Sequence, residues 1–250
     1  MLSIELKNAN LNIPVISPLN RRFIKRPKLL TRNSGSDIFS SSGSNISIQA
    51  IKNLSLSLKE GDRLALFGHN GSGKTTLLKV LGGIYPLDSG EINVSGTVGM
   101  IFDISNGFST ELTGRETIRS YQRIFLRSHN IDELENMVIE FSELGDYVDL
   151  PVRIYSSGMK TRLYASLAIQ QNHRILLVDE GIGAADAAFQ EKFSKKLEEY
   201  FFRPGILVLA SHSMELTKKF CNKGLVMKSG EGIYFGDIES ASEFYINPKN

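Results

Sequence analysis

The stretch Gly68-His69-Asn70-Gly71-Ser72-Gly73-Lys74-Thr75 decides how this chain is read. It fits the P-loop pattern G-x-x-x-x-G-K-[ST], in which each fixed position answers a demand made by a triphosphate. Glycines let backbone N–H groups curl around phosphate oxygens with no Cβ in the way. Lys74 supplies a point charge for the β- and γ-phosphates, and the Thr75 hydroxyl is placed for Mg²⁺. Gly68, Asn70, Gly71, Ser72, Gly73, Lys74, Thr75 and Thr76 are therefore expected to line a nucleotide site. The flanks meet the motif's requirements. Arg63-Leu64-Ala65-Leu66-Phe67 reads as a buried strand leading in. Thr76-Leu77-Leu78-Lys79-Val80-Leu81 has helical spacing, with the positive N-terminal end facing the phosphates.

Bulk properties set outer limits. A chain of 250 residues suits one large domain, or a domain with an inserted subdomain, and can bury a substantial core. Apolar content of 41% and charged content of 22% are ordinary for a globular protein. A formal charge of +2 is too small to argue for a nucleic-acid partner, and none is expected. A single cysteine, Cys221, excludes an internal disulfide framework and suits a reducing compartment. It reads as a small, semi-buried side chain. The opening Met1-Leu2-Ser3-Ile4-Glu5-Leu6-Lys7 alternates like a strand and lacks the shape of a signal peptide. No apolar run approaches the roughly 18–20 residues needed to span a bilayer. Any membrane role is expected to need a partner or surface attachment.

Along the chain, residues 1–16 read as strand. Between residues 6 and 36 there are seven basic residues (Lys7, Arg21, Arg22, Lys25, Arg26, Lys28, Arg32) and no acidic one. A Ser/Gly-rich loop follows at 33–45, so 17–47 reads as an insertion. The basic part is either a solvated loop or a contact for anionic lipid head groups or anionic substrate. Strand alternation resumes over 46–58, and Lys59-Glu60-Gly61-Asp62 turns into the P-loop strand. Pro86-Leu87-Asp88-Ser89-Gly90 reads as a turn, followed by short strands through Ile101-Phe102. From 113 to about 144 the pattern is helical. Thr113-Gly114-Arg115-Glu116 offers a capping box, and a second helix is expected near Asp132. Strands return at Arg174-Ile175-Leu176-Leu177-Val178 and at Ile206–Ala210, with a helix from about Ala187 to Phe201 between them. Such alternation predicts an α/β protein with a mostly parallel sheet.

Three further groups carry chemistry. Ile175-Leu176-Leu177-Val178-Asp179-Glu180 is an apolar strand ending in two carboxylates. A nucleotide hydrolase needs one carboxylate near Mg²⁺, which suits Asp179, and a group to activate the attacking water, which suits Glu180. Ser211-His212-Ser213 follows the strand Ile206–Ala210 directly, so His212 stands at a strand end, a candidate γ-phosphate contact. Tyr155-Ser156-Ser157-Gly158-Met159-Lys160 opens a helical stretch and is either an anion site at a helix N-terminus or an ordinary Ser/Gly cap.

In this order the motifs resemble those of ATP-binding-cassette (ABC) ATPases, from about residue 46 to 240. The resemblance implies a P-loop NTPase fold with an antiparallel β subdomain and an inserted helical subdomain, here about 104–165, within one domain over 1–250. Residues 68–75 look like Walker A, Ile175–Asp179 like Walker B with Glu180 as catalytic glutamate, and His212 like the switch histidine. Residues 155–159 sit where the family has its signature, and Ala184-Ala185-Asp186 where it has its D-loop. Asp103 stands where a metal-contacting glutamine is usual, and is carried as a third metal candidate beside Thr75 and Asp179. Family members pair head to tail, which implies that Ser156, Ser157 and Gly158 complete the P-loop site of a second subunit, with Asp186 nearby.

The Tyr-Ser-Ser-Gly-Met signature followed by Lys-x-Arg-Leu is similar to ATPases that export O-antigen, capsule or teichoic acid. So are Glu111-Leu112-Thr113-Gly114-Arg115-Glu116 and Asp186-Ala187-Ala188-Phe189-Gln190-Glu191-Lys192. What this implies is a Mg-ATP-hydrolysing homodimer, cytoplasmic and peripheral on the inner face of the cell membrane. It would drive an integral membrane permease that moves lipid-linked polysaccharide. An ABC ATPase for another cargo, or a soluble one outside transport, is the alternative. Some such exporters carry an added C-terminal glycan-recognition domain, which this sequence is expected to lack.

Overall fold

A computed structural model describes residues 1–14, 38–40, 46–101, 108–126, 129–170, 173–179, 186–202 and 205–247. In chain order the strands and helices are β1 (Ser3–Pro14), β2 (Ile38–Ser40), β3 (Ile46–Lys59), β4 (Arg63–Phe67) and α1 (Lys74–Leu81). Then come β5 (Ser89–Ser95), β6 (Val98–Ile101), α2 (Gly114–Phe125), α3 (Ile131–Ser142), α4 (Ser157–Ala168) and β7 (Ile175–Asp179). The last are α5 (Ala187–Phe201), β8 (Ile206–Ala210), α6 (Met214–Phe220), β9 (Lys223–Lys228), β10 (Glu231–Asp237) and α7 (Ile238–Ile246). They fall into two compact units, Met1–Thr97 with Pro204–Asn250, and Val98–Arg203.

In the first unit an antiparallel sheet runs β2-β3-β1-β5. Its long strands keep one apolar face across shifts of register, at Leu6/Ala9, Ala9/Leu11 and Leu11/Asn12 in β1. In β1 the buried positions are Ile4 and Leu6, then Ala9 and Leu11; in β3 they are Ala50 and Ile51, then Leu54, Leu56 and Leu58. A strict period of two cannot give that pattern. The register shift between Leu6 and Ala9 absorbs the extra residues, with Asn8 at φ 49 and Asn53 at φ 41. Asn tolerates the left-handed region better than other side chains do, so bulges of this kind restore the face after the slip. The expected turn at 86–90 is shorter than the sequence suggested. Asp88 Oδ2 takes N–H from Asn12 at 2.6 Å, and β5 already begins at Ser89.

The same unit holds the strands β10-β9-β4-β8, with β4 parallel to both neighbours and β10 antiparallel to β9. β4 and β8 are apolar and buried nearly throughout, as parallel strands covered on both faces require. α1 packs through Leu77, Leu78, Val80 and Leu81, each contributing roughly 1.5–3 kcal/mol of burial.

In the second unit β6 and β7 pair in parallel, Val98 opposite Ile175 through Ile101 opposite Val178. Its helices enclose a core that includes Ile118, Tyr121, Leu134, Val138, Leu163 and Leu167. The capping box forms as expected. Thr113 Oγ1 accepts from Glu116 N at 3.1 Å while Glu116 Oε2 accepts from Thr113 N at 2.9 Å. α3 starts at Ile131 with Asn130 as its cap, one residue before the expected Asp132.

Candidate nucleotide-binding site

β4 runs buried to Phe67, and the chain then turns through a loop with Gly68, Gly71 and Gly73 all at positive φ before α1 begins at Lys74. Those three conformations are open to glycine and strained for other residues. The loop closes on the His69 carbonyl, which accepts Ser72 N–H at 3.1 Å and Lys74 Nζ at 3.2 Å. Lys74 Nζ also reaches Gly68 O at 2.5 Å. The lysine thus curls back over its own loop, and its ammonium stands inside the ring of backbone that a phosphate would share. The first four N–H groups of an α-helix have no partner within the helix, and in α1 the ladder starts with Leu77 N to Gly73 O at 2.8 Å. Ser72 Oγ is buried with no hydrogen-bond partner, an orphan donor inside the loop. Positive helix end, ammonium and orphan hydroxyl together suit a polyphosphate.

A distant turn holds this loop, and a second segment leaves the sheet beside it. Gly230, in the β9–β10 turn, donates N–H to Ser72 O at 2.9 Å and accepts Lys52 N–H from β3 at 2.9 Å. The loop is thereby tied through a hairpin turn to the antiparallel sheet. β8 is parallel to β4 with Leu66 opposite Ala210, so residues 68–73 and Ser211-His212 leave the same end of the strands. His212 is exposed there, just ahead of α6, whose cap Ser213 accepts Leu216 N–H at 3.3 Å.

The second unit carries the other expected residues. Asp179 ends β7, at the strand edge where α/β proteins bind ligands. Ser156 is exposed and caps α4, its Oγ accepting Met159 N–H at 3.2 Å; Ser157 and Gly158 form the first turn. Tyr155 just before them is buried, and its hydroxyl donates to Tyr147 O at 2.5 Å. Burial pushes that phenol up to about 12, which keeps it a donor.

Asp186 caps α5 by accepting Phe189 N–H at 3.0 Å. Its Oδ2 also takes Arg162 Nη2 at 2.6 Å and Nε at 3.2 Å. The Arg162 guanidinium, and then the Phe189 N–H, hold the Asp186 carboxyl below its ordinary range. Arg162 reaches Glu143 Oε2 at 3.0 Å as well and lies 5.1 Å over the Phe189 ring. It joins α4 to the start of α5. Sequence reasoning did not single it out as a functional residue; its place in Lys-x-Arg-Leu after the signature was the available signal. Glu180, Asp103, Ala184, Ala185 and the basic residues 21–32 lie outside the described residues.

A parallel α/β strand set with a phosphate loop after its central strand defines a P-loop nucleotide-binding protein. A family model described as ABC transporter matches residues 51–183. The O-antigen export system ATP-binding protein RfbE of Yersinia enterocolitica is 38% identical over 233 residues, 92% of this chain and 96% of RfbE. The polysialic acid transport ATP-binding protein KpsT of Escherichia coli is 35% identical over 195 residues, 78% of this chain and 87% of KpsT. The teichoic acids export ATP-binding protein TagH of Lactococcus lactis is 32% identical over 91% of this chain, which spans 49% of TagH. Among solved structures, the ATP-binding cassette MJ0796 in a dimeric post-hydrolysis state shares the fold, with TM-score 0.67, 18% identity and coverage of 94% and 98% of the two chains. The chain belongs to the ABC transporter family, and its fold is that of an ABC-type nucleotide-binding cassette.

Proposed function

We propose that this chain is the ATP-hydrolysing subunit of a polysaccharide exporter, working as a homodimer on an integral membrane permease at the inner face of the cell membrane. The observation that carries the nucleotide half of this reading is the P-loop. Its lysine is curled over the Gly68 and His69 carbonyls and its buried Ser72 hydroxyl lacks a partner. The cargo half is supported by kinship with the O-antigen and polysialic acid ATP-binding proteins over most of this chain. No described helix is long and apolar enough to cross a membrane.

Each role follows from chemistry at a named atom. Lys74 Nζ neutralises the β- and γ-phosphates, and the N–H groups of residues 73–76 at the start of α1 receive their oxygens. The Thr75 hydroxyl and Asp179 carboxylate are hard oxygen donors of the kind Mg²⁺ takes, few in number as that ion prefers; Asp103 is a third candidate. When bound, Mg²⁺ would offset charge on the phosphates. Glu180 accepts a proton from the attacking water, and His212 donates to the γ-phosphate. In a head-to-tail pair, Ser156, Ser157 and Gly158 of one copy face the nucleotide held by the other.

The test is genetic and biochemical together. Cells without the chain should lose surface polysaccharide and regain it with the wild type but not with Lys74→Ala. Purified Glu180→Gln should bind ATP and turn over at under about a hundredth of the wild-type rate. Unchanged surface polysaccharide in the deletion would redirect the cargo. Wild-type hydrolysis by Glu180→Gln would remove that residue from catalysis.

A further inference from the structure

The C-terminal helix of the described chain ends on the P-loop. α7 is capped by Asp237, whose Oδ1 accepts Ser240 N–H at 2.9 Å, and it buries Ala241 completely. Ala241 lies over Gly224 of β9 so closely that a side chain at 224 would collide with it. This seating of the helix carries Tyr245, one turn further on, to the end of β4.

There the Tyr245 ring stacks on Phe67, centroids 5.6 Å apart with 16° between planes. It also tilts against the His69 imidazole, at 5.8 Å and 51°. Phe67 is the last residue of β4 and His69 is the second residue of the P-loop. His69 is the same residue whose carbonyl receives both Ser72 N–H and Lys74 Nζ. One aromatic ring therefore touches both sides of the point where the strand becomes the loop, and the residue it braces is the one on which the loop closes. Tyr245 is only half-buried and His69 is exposed, so this contact sits at the rim of the core. Removing the ring frees the loop without hollowing the interior.

We infer that Tyr245 is a positioning residue for nucleotide binding, acting through His69 and Phe67 to hold the P-loop ready for phosphate. The inference rests on reading residues 68–75 as the nucleotide site. A loop ordered before binding loses less freedom on binding, so affinity registers the brace directly.

The test uses the full chain with Mg²⁺ and the fluorescent probe mant-ATP, together with steady-state kcat and KM and unfolding without nucleotide. Tyr245→Ala should raise Kd about threefold to tenfold, the span expected for lost aromatic contacts. KM should rise with it while kcat holds, and the nucleotide-free unfolding midpoint should fall by no more than about 4 °C. Tyr245→Phe should keep the wild-type Kd, because the ring rather than the hydroxyl makes both contacts. In a His69→Ala background, Tyr245→Ala should cost less than in the wild type. Unchanged affinity in Tyr245→Ala overturns the inference. Equal weakening by Tyr245→Phe also overturns it, as does a full additive loss in the double variant. Should Tyr245→Ala fail to fold, Tyr245→Leu decides by the same Kd criterion. A wild-type chain that binds no mant-ATP, no differently from Lys74→Ala, would instead overturn the nucleotide reading itself.

Discussion

Gly230 is the residue on which the P-loop leans, and the motif gives no hint of it. It sits at φ 85 in the β9–β10 turn, and a Cβ there would stand 2.9 Å from Ala50 O. Gly230→Ala must therefore strain the turn and move the pair of hydrogen bonds that links Lys52 N–H to Ser72 O. The expected cost is roughly 1–3 kcal/mol of stability, with weaker nucleotide binding added to it. Gly61→Ala separates the two effects. Gly61 has φ 91 with nothing within 4 Å of its Cβ position, so it suffers strain alone. Denaturant unfolding and mant-ATP titration of both variants check this: both should unfold earlier, and only Gly230→Ala should lose affinity. Equal affinity in the two would mean the hairpin tie does not position the loop. The motif itself was legible because local backbone chemistry imposes it. Gly230, Tyr245 and Arg162 were not, because each acts through a partner far away in sequence, and no periodicity encodes such a meeting.

At the scale of elements, α2, α3 and the turn Gly145–Asp149 are joined by a charged cluster inside the second unit. Arg115 reaches Glu135 Oε2 at 2.7 Å and Asp149 Oδ1 at 2.7 Å, and Arg119 reaches Glu135 Oε1 at 2.6 Å. The Glu135 side chain is 7% exposed, so it cannot lose both partners cheaply. Burial alone would raise its carboxyl, but the two guanidinium groups outweigh that and hold it below its ordinary 4.5. A carboxylate lowered on folding gives stability that is complete above its unfolded value and lost as pH falls through the folded one. Glu135→Gln should therefore cost roughly 1–3 kcal/mol at neutral pH. It should also flatten the fall of the unfolding midpoint as the pH drops below about 4.5, followed by calorimetry. An equally steep acid dependence in wild type and variant would dismiss the cluster as the source. Element boundaries were mostly readable here. The capping box at Thr113 and Glu116 and the α5 range are written in local residue types. The bulges at Asn8 and Asn53 were not readable, because alternation in one strand does not tell where its partner slips.

For the whole molecule, the question is whether one chain completes its own site. The first unit carries the P-loop and His212, while the second carries Asp179, Ser156, Ser157, Gly158 and Asp186. Ser156 is spent as an α4 cap, yet the free N–H groups of that helix start still favour an anion from outside. In the head-to-tail pair proposed above, each of two sites would combine the P-loop of one copy with Ser156, Ser157 and Gly158 of the other. That arrangement has a consequence a self-contained site lacks. Take Lys74→Ala and Gly158→Asp as two chains, each inactive alone. In the mixed dimer, both lesions fall in one composite site, and the other receives an intact P-loop from the Gly158→Asp chain and an intact signature from the Lys74→Ala chain. Mixing should thus restore ATP hydrolysis that neither variant has, rising with the mixed-dimer fraction measured by light scattering or native mass spectrometry. If each chain formed its site alone, both copies in the mixture would remain dead at every ratio. Persistent inactivity in a mixture that contains mixed dimers would therefore refute shared sites while leaving the P-loop assignment to Lys74→Ala and mant-ATP binding.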